Sequence, residues 1–146
     1  MSQSSDVHTN GLSINLLGTT TIAGNVTVAT PALPLLVGAK YLIVQANFVY
    51  GAGGGTTDAY VQTSMDAGVT WLDIMNFHFT TSSLVKVSAV STVVALAAGV
   101  SPGDGALSAN TILNGLLGKQ IRVKYVTAST VYSGVTTLTV SALVKG

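Results

Sequence analysis

The chain contains no cysteine and no glutamate, and only 8% of its 146 residues are charged. Without cysteine it forms neither disulfides nor thiolate metal sites, so its fold must depend on packing and on sheet hydrogen bonds. Ordinary soluble proteins carry about 25% charged residues. The surface must therefore consist mainly of Thr, Ser, Gly, Ala and Asn, and it suits contact with neighbouring subunits better than repulsion of them.

The sequence also lacks features that direct proteins to nucleic acid, membranes or secretion. Its six Lys and Arg residues are scattered and the net charge is +1, so there is no basic stripe for nucleic acid. The longest uncharged apolar run, residues 87–100, is shorter than the ~20 residues of a membrane-spanning helix. Residues 1–6 lack the basic and apolar regions of a signal peptide, which predicts synthesis in a cytoplasm.

No catalytic constellation is apparent. The acids are Asp6, Asp58, Asp66, Asp73 and Asp104. A glycosidase needs two carboxylates about 5 to 10 Å apart. Asp58 and Asp73, on neighbouring predicted strands, are the candidate pair. The favoured interpretation is that these two acids are solvated or ion-paired and not catalytic. Neither His8 nor His78 has an evident acid partner or converging metal ligands, and no serine lies in a nucleophile elbow. We therefore predict a protein that is not an enzyme, with no catalytic residue, cofactor or metal site.

Alternating polarity and frequent Gly, Pro and Ser turns predict an all-β fold. The chain length suits one domain. We expect a flexible polar arm at residues 1–10 and a single antiparallel β-sandwich or jelly roll of about eight strands at 11–146. Strands are predicted around 12–17, on both sides of the Gly24-Asn25 turn, and at 40–50, 58–64, 70–79, 84–96 (as one strand or two), 119–125 and 136–144.

Other segments are less regular. Pro31 and Pro34 are expected to end regular pairing. The glycine-rich residues 51–57 are predicted to be a flexible connector. A phosphate-binding loop is disfavoured there, because the segment lacks the Lys-Ser/Thr ending of such a loop. An Ala-rich helix over 89–98 competes weakly with a strand, and residues 106–118 fit either a short helical turn or an irregular crossing.

The segment Ser64–Trp71 predicts a tight hairpin turn. In it, Asp66 accepts backbone hydrogen bonds, Gly68 supplies a positive φ, Thr70 returns a hydroxyl contact, and Trp71 closes the base. The spacing Ser-x-Asp-x-Gly-x-Thr-Trp resembles the Asp-box of sialidases and other β-rich proteins. In that family the box is a folding element on a surface hairpin, so the resemblance implies a hairpin and not a glycosidase.

The aromatic residues allow two interpretations. Trp71 closing the hairpin, with Phe77 and Phe79 at strand spacing, favours positions in the core. The alternative is a carbohydrate-binding β-sandwich module that uses Tyr50, Tyr60 or Trp71 as an exposed platform.

Four stretches carry a second resemblance, to the small virion proteins of tailed bacteriophages, especially capsid decoration or cement proteins. They are residues 60–74, 77–81, 118–125 and 136–140. The resemblance implies a structural protein on the capsid surface of a virion, made in the host cytoplasm, that bridges major capsid protein subunits and associates as a homotrimer or another homo-oligomer. Residues 1–10 are expected to contact the shell or a neighbouring subunit, and a tail or neck subunit is the alternative.

Overall fold

Two antiparallel β-sheets pack face to face in the computed structural model, which describes residues 11–96, 98–128 and 131–146. No helix occurs among these residues. The strands are β1 (Leu12–Thr21), β2 (Thr27–Ala29), β3 (Leu33–Pro34), β4 (Tyr41–Val49), β5 (Ala52–Gly53), β6 (Thr56–Ser64), β7 (Leu72–Phe79), β8 (Leu84–Ser91), β9 (Gln120–Ala128), β10 (Tyr132–Ser133) and β11 (Thr137–Lys145). The all-β sandwich predicted from sequence is confirmed. The predicted arm at residues 1–10 lies outside the described residues.

The two main sheets have different strand orders. Sheet A runs β1-β11-β4-β8, and sheet B runs β2-β9-β6-β7 with β3 also paired to β9. The ribbon β5–β10 forms a third, two-stranded sheet. There are eleven strands where about eight were predicted, because two-residue pairings such as β3, β5 and β10 are too short to show alternation.

The core lies between sheets A and B and follows the predicted alternation. Leu42, Val44, Ala46 and Phe48 of β4 are fully buried, and every second residue of β9 and β11 is buried in the same way. The Phe48 ring from sheet A stacks on Phe79 from sheet B, with centroids 4.8 Å apart. Each such side chain contributes roughly 1.5–3 kcal/mol through burial.

Residues 103–113 cross the edge of β7 without forming a helix. The Asp73 N–H donates to the Gly103 carbonyl at 2.9 Å, and the Asn76 N–H donates to the Thr111 carbonyl at 2.9 Å. This segment therefore covers the edge strand of sheet B, and the irregular crossing is the correct alternative. In the described residues neither the helix considered over 89–98 nor a strand reaching residue 96 forms, because β8 ends at Ser91 and a turn follows.

Two loop predictions need correction. Pairing does not end at Pro31, since Leu33 and Pro34 form β3 against β9, and β3 ends at Pro34; a proline is tolerated there because the strand is an edge. Residues 51–57, predicted to be a flexible connector, are largely paired, since Ala52 and Gly53 pair with β10 and Thr56 begins β6. Gly53 has φ of 90°, and a Cβ there would lie 2.5 Å from the Ser133 nitrogen, so this close approach requires glycine.

Candidate functional site

The turn between β6 and β7 is closed by local hydrogen bonds. The Ser64 hydroxyl accepts one from the Gly68 N–H at 2.8 Å and donates one to Asp66 Oδ1 at 2.9 Å. Asp66 Oδ1 also accepts one from the Thr70 N–H at 2.8 Å, and contacts with the backbone and hydroxyl of Thr70 hold the pKa of Asp66 below its usual value. Ala67 and Gly68 have φ of 59° and 86°. These contacts are structural, and they bind the turn to itself.

Trp71 follows the turn and lies outside the core. Its ring stacks against Arg122 of β9, with the guanidinium carbon 4.3 Å from the ring centroid. The prediction of a core position is therefore wrong for Trp71, which stays partly exposed, but it is correct for Phe77 and Phe79. A guanidinium on an indole face stabilises by about 0.5–2 kcal/mol, so this contact ties the hairpin to the neighbouring strand.

Asp73 reaches the outer face of sheet B because β7 contains a bulge. Met75, Phe77 and Phe79 point into the core, and strict alternation would turn Asp73 inward with them. The register shifts so that Val61 is opposite Met75 while Gln62 is opposite Asp73, which leaves one extra residue in β7. The buried carboxylate then accepts hydrogen bonds from three successive N–H groups of the crossing segment, those of Gly105, Ala106 and Leu107, at 2.7–3.0 Å.

Gln62 connects Asp73 to a second acid. Its amide nitrogen donates to Asp73 at 2.8 Å and to Asp104 at 2.6 Å, while its oxygen accepts from Arg122 at 2.7 Å. Lys124 also pairs with Asp104, at 3.1 Å. Burial raises the pKa of Asp104, but hydrogen bonds from Gln62 and Lys124 and the charges of Lys124 and Arg122 outweigh it, so the pKa lies below its usual value. Asp73 is therefore satisfied by hydrogen bonds, and Asp104 by a hydrogen bond and by ion pairs with Arg122 and Lys124.

Asp58 does not lie opposite Asp73, which was the candidate pair that the sequence offered beside the favoured interpretation of solvated or ion-paired acids. Asp58 lies opposite His78, and Asp58 Oδ1 is 2.8 Å from His78 Nδ1. The expectation that His78 lacks an acid partner is therefore wrong, because cross-strand pairing joins residues 20 positions apart. Asn76 donates to the same carboxylate at 3.2 Å. Among the described residues no hydroxyl is hydrogen-bonded to the other ring nitrogen of His78, so the nucleophile of a catalytic triad is missing there.

The aromatic residues considered for sugar binding do not form a common exposed platform. Tyr60 is buried between charged neighbours, and burial, followed by the charges of Asp58 and Asp73, raises its pKa. The Tyr50 hydroxyl donates to the carbonyl of Gly53, and its ring lies edge-on to Tyr132. The face of Trp71 is occupied by Arg122.

The outer face of sheet A is the opposite of this polar surface. We define it as the odd-numbered residues of β4, β8 and β11; the even-numbered residues of β4 and β11, and Val90 of β8, face the core. Lys145 is its one charged residue. Tyr41, Val49, Val85 and Val87 are 40%, 46%, 57% and 59% exposed. A cavity of about 530 Å³ lies on this face beside Tyr41. The low overall charge is evident from the sequence. The gathering of uncharged residues on one face is not, because it depends on the sheet pairing.

Within the described part of the chain, no three His, Cys or acidic residues are grouped as metal ligands, and no helix is long and apolar enough to cross a membrane. Comparison of the chain with protein-family models, with curated proteins and with solved structures gives no match.

Proposed function

We propose that the protein is a non-enzymatic virion structural protein that decorates and stabilises a bacteriophage capsid by bridging major capsid protein subunits. The observation that supports this role is the outer face of sheet A, which is broad, exposed and nearly uncharged. Tyr41, Val49, Val85 and Val87 expose apolar surface on it between uncharged polar residues, and exposed apolar surface of this kind marks sites that a partner covers. A cement subunit needs contact area more than it needs charge or reactive groups.

The polar face of sheet B supports the same role by contrast. Its charged and amide groups, including Asp73, Asp104 and Arg122, are bonded to each other or to the crossing segment. Groups held in this way stabilise the subunit rather than await a ligand. In this proposal the subunit is a homo-oligomer on the capsid surface, and the capsid contact is the outer face of sheet A. Residues 1–10 add a second contact to the shell or to a neighbouring subunit.

A matched pair of variants tests the capsid contact. Val49→Asp places a carboxylate on the outer face of sheet A, and Val69→Asp places the same group on the hairpin turn, where Val69 is 83% exposed. Binding to capsids of the source virus lacking this protein is measured by co-sedimentation. Val49→Asp should weaken binding roughly 10-fold or more, because a carboxylate buried without a partner costs several kcal/mol. Val69→Asp should bind like the parent.

Circular dichroism and thermal unfolding must first show that both variants are folded. Equal binding of Val49→Asp and the parent would refute the proposed contact, and failure of the parent to bind any capsid would refute the function. Deleting residues 2–10 should lower capsid occupancy while the β fold persists. Unchanged occupancy after that deletion would remove the arm from the proposal.

A further inference from the structure

The two edges of sheet A differ in how well they are protected against pairing with another chain. β1, at one edge, shows two register shifts against β11, between Asn15 and Leu17 and between Leu17 and Thr20. β8, at the other edge, pairs with β4 through eight consecutive residues without a shift. Bulges disrupt the edge of a sheet, whereas a long regular edge strand offers a template for another strand. Among the described residues no strand pairs with the outer edge of β8.

The backbone groups at this outer edge can be assigned from the hydrogen bonds at the end of β8. The Thr92 N–H donates to Lys40 in line with β4, while the Ser91 N–H points the other way and donates to the Asn114 side chain. Because these directions alternate along an antiparallel strand, the odd-numbered residues from Val85 to Ser91 direct their N–H and C=O groups away from β4. The same residues carry the exposed side chains of Val85 and Val87.

Lys86, the single charged residue of β8, does not block this edge. A charged residue that points inward is a common protection of edge strands. Here the Lys86 ammonium group donates to the His78 carbonyl and to Asn110 Oδ1, and it lies 5.0 Å from the centroid of the Phe79 ring. Burial lowers the pKa of Lys86. Its charge is therefore already satisfied within its own chain.

We propose that β8 pairs with β8 of a second copy, antiparallel, about a two-fold axis at Val87. The observed direction of the backbone groups requires odd-numbered residues of the two copies to face each other. The register in which Val87 faces Val87 and Val85 faces Ala89 is favoured, because it leaves the Ser91 N–H with Asn114 and does not place Lys86 opposite Lys86. The two sheets A then form one continuous sheet of eight strands. Val85 and Val87, which are more than half exposed in the single chain, become cross-strand apolar contacts.

A second copy fits this edge better than a strand of another protein. The edge is self-complementary, because Val87 meets Val87, Val85 meets Ala89, and no acid is present on β8 to repel or attract a partner. The two-fold axis is perpendicular to the sheet, so both outer faces of sheet A lie on the same side. One face measures roughly 420 Å² from strand spacing and rise. Two faces side by side therefore reach the ~800 Å² that each partner contributes to a standard interface.

This inference deepens the homo-oligomeric part of the proposed function and rests on that part alone. Val49, the position that tests the capsid contact, lies opposite Thr137 and has no partner on β8. Loss of capsid binding by Val49→Asp with an intact dimer, or loss of the dimer with intact capsid binding, therefore separates the two proposals.

Cysteine cross-linking provides the direct test, because the chain has no cysteine of its own. In the full-length protein, Val87→Cys places two thiols on either side of the two-fold axis. Opposed residues of a hydrogen-bonded pair have Cα atoms ~5.5 Å apart, within the range that a disulfide spans. Mild oxidation at micromolar protein should link Val87→Cys dimers roughly 100-fold faster than diffusional encounters allow, since paired thiols have effective concentrations of about millimolar or more.

The controls use an exposed position outside β8 and the predicted register. Val69→Cys, on the hairpin turn, should cross-link at the slow diffusional rate. The double variant Val85→Cys/Ala89→Cys should form linked dimers rapidly, because these positions oppose each other in the second copy. Equal rates for Val87→Cys and Val69→Cys would overturn the inference, and so would rapid linkage by Val69→Cys alone.

Sedimentation analysis provides a measurement that needs no cysteine. The parent should be a concentration-dependent dimer or a larger assembly built from it. Val87→Pro removes one outward N–H and should weaken dimerisation at least ~10-fold. A parent that is monomeric at all concentrations up to millimolar would overturn the inference. It would do so even if β8 pairs with a strand of another protein instead.

Discussion

Asp73 shows how a single buried charge determines the path of a whole segment. Its carboxylate is inaccessible to solvent and accepts hydrogen bonds from Gln62 and from the N–H groups of Gly105, Ala106 and Leu107. A buried charge is tolerated only when its hydrogen bonds are complete. The crossing segment is therefore fixed over β7 by Asp73, in the same way as an anion is held by successive backbone amides.

We expect Asp73→Asn to lower the free energy of unfolding by about 2–3 kcal/mol, because it weakens several hydrogen bonds to a charged acceptor and turns an amide donor toward backbone N–H groups. Asp104→Asn is the matched control. The Asp104 side chain is 50% exposed, so its ion pairs should contribute no more than about 1 kcal/mol. Chemical denaturation of both variants measures the difference, and a loss for Asp104→Asn as large as that for Asp73→Asn would contradict this account.

At the scale of elements, the hairpin β6–β7 combines a local turn with one long-range contact. The turn from Ser64 to Thr70 is held by residues at most four positions apart, which is why its hydrogen bonds are visible in the sequence pattern. The stack of Trp71 on Arg122 joins residues 51 positions apart, and it exists only because β9 pairs with β6.

A double-mutant cycle should measure this stack. Trp71→Ala and Arg122→Ala are expected to show a coupling energy of about 0.5–2 kcal/mol in unfolding experiments, since a guanidinium lies on the indole face. Arg122→Lys should retain less than half of the coupling, because an ammonium group has no planar surface to stack. Additive effects of the two alanine variants would show that the contact does not stabilise the hairpin.

At the scale of the whole molecule, the two faces of the sandwich divide the chemistry between them. The groups with shifted pKa values lie in the turn, on or beside sheet B, at the β5–β10 ribbon, and, in the case of Lys86, on β8 where it meets sheet B. Stability should therefore depend on pH through the contacts of sheet B and its loops.

Stability should decline at both extremes of pH. Asp66 and Asp104 have folded pKa values below 3.8, so the unfolded chain takes up protons first, and their contribution is lost as pH falls below about 4. Burial raises the pKa of Tyr60 and of Tyr132 above 10.0, so their contribution is present below pH 10 and lost above it. Urea unfolding across pH 2–11 should give this profile. Asp104→Asn should flatten the acid side and Tyr60→Phe the alkaline side, and unchanged profiles would contradict these assignments.

The sequence by itself determined the secondary structure of the long strands and the hairpin turn. The alternation from Leu42 to Phe48 and the residues from Ser64 to Thr70 depend on neighbours a few positions away. The two-residue strands carried no such signal. The sequence did contain a small signal for the bulge. Strict alternation would place the acid Asp73 on the same side of the strand as the core residues Phe77 and Phe79.

Only the tertiary structure decided which groups meet. The pairing of β6 with β7 and β9 joined His78 to Asp58 and Arg122 to Gln62. The order of sheet A left β8 at an edge and gathered the uncharged odd-numbered residues on one face. The physical reason is that strand alternation is a local property of the backbone, whereas register and strand order come from packing between segments far apart in the chain.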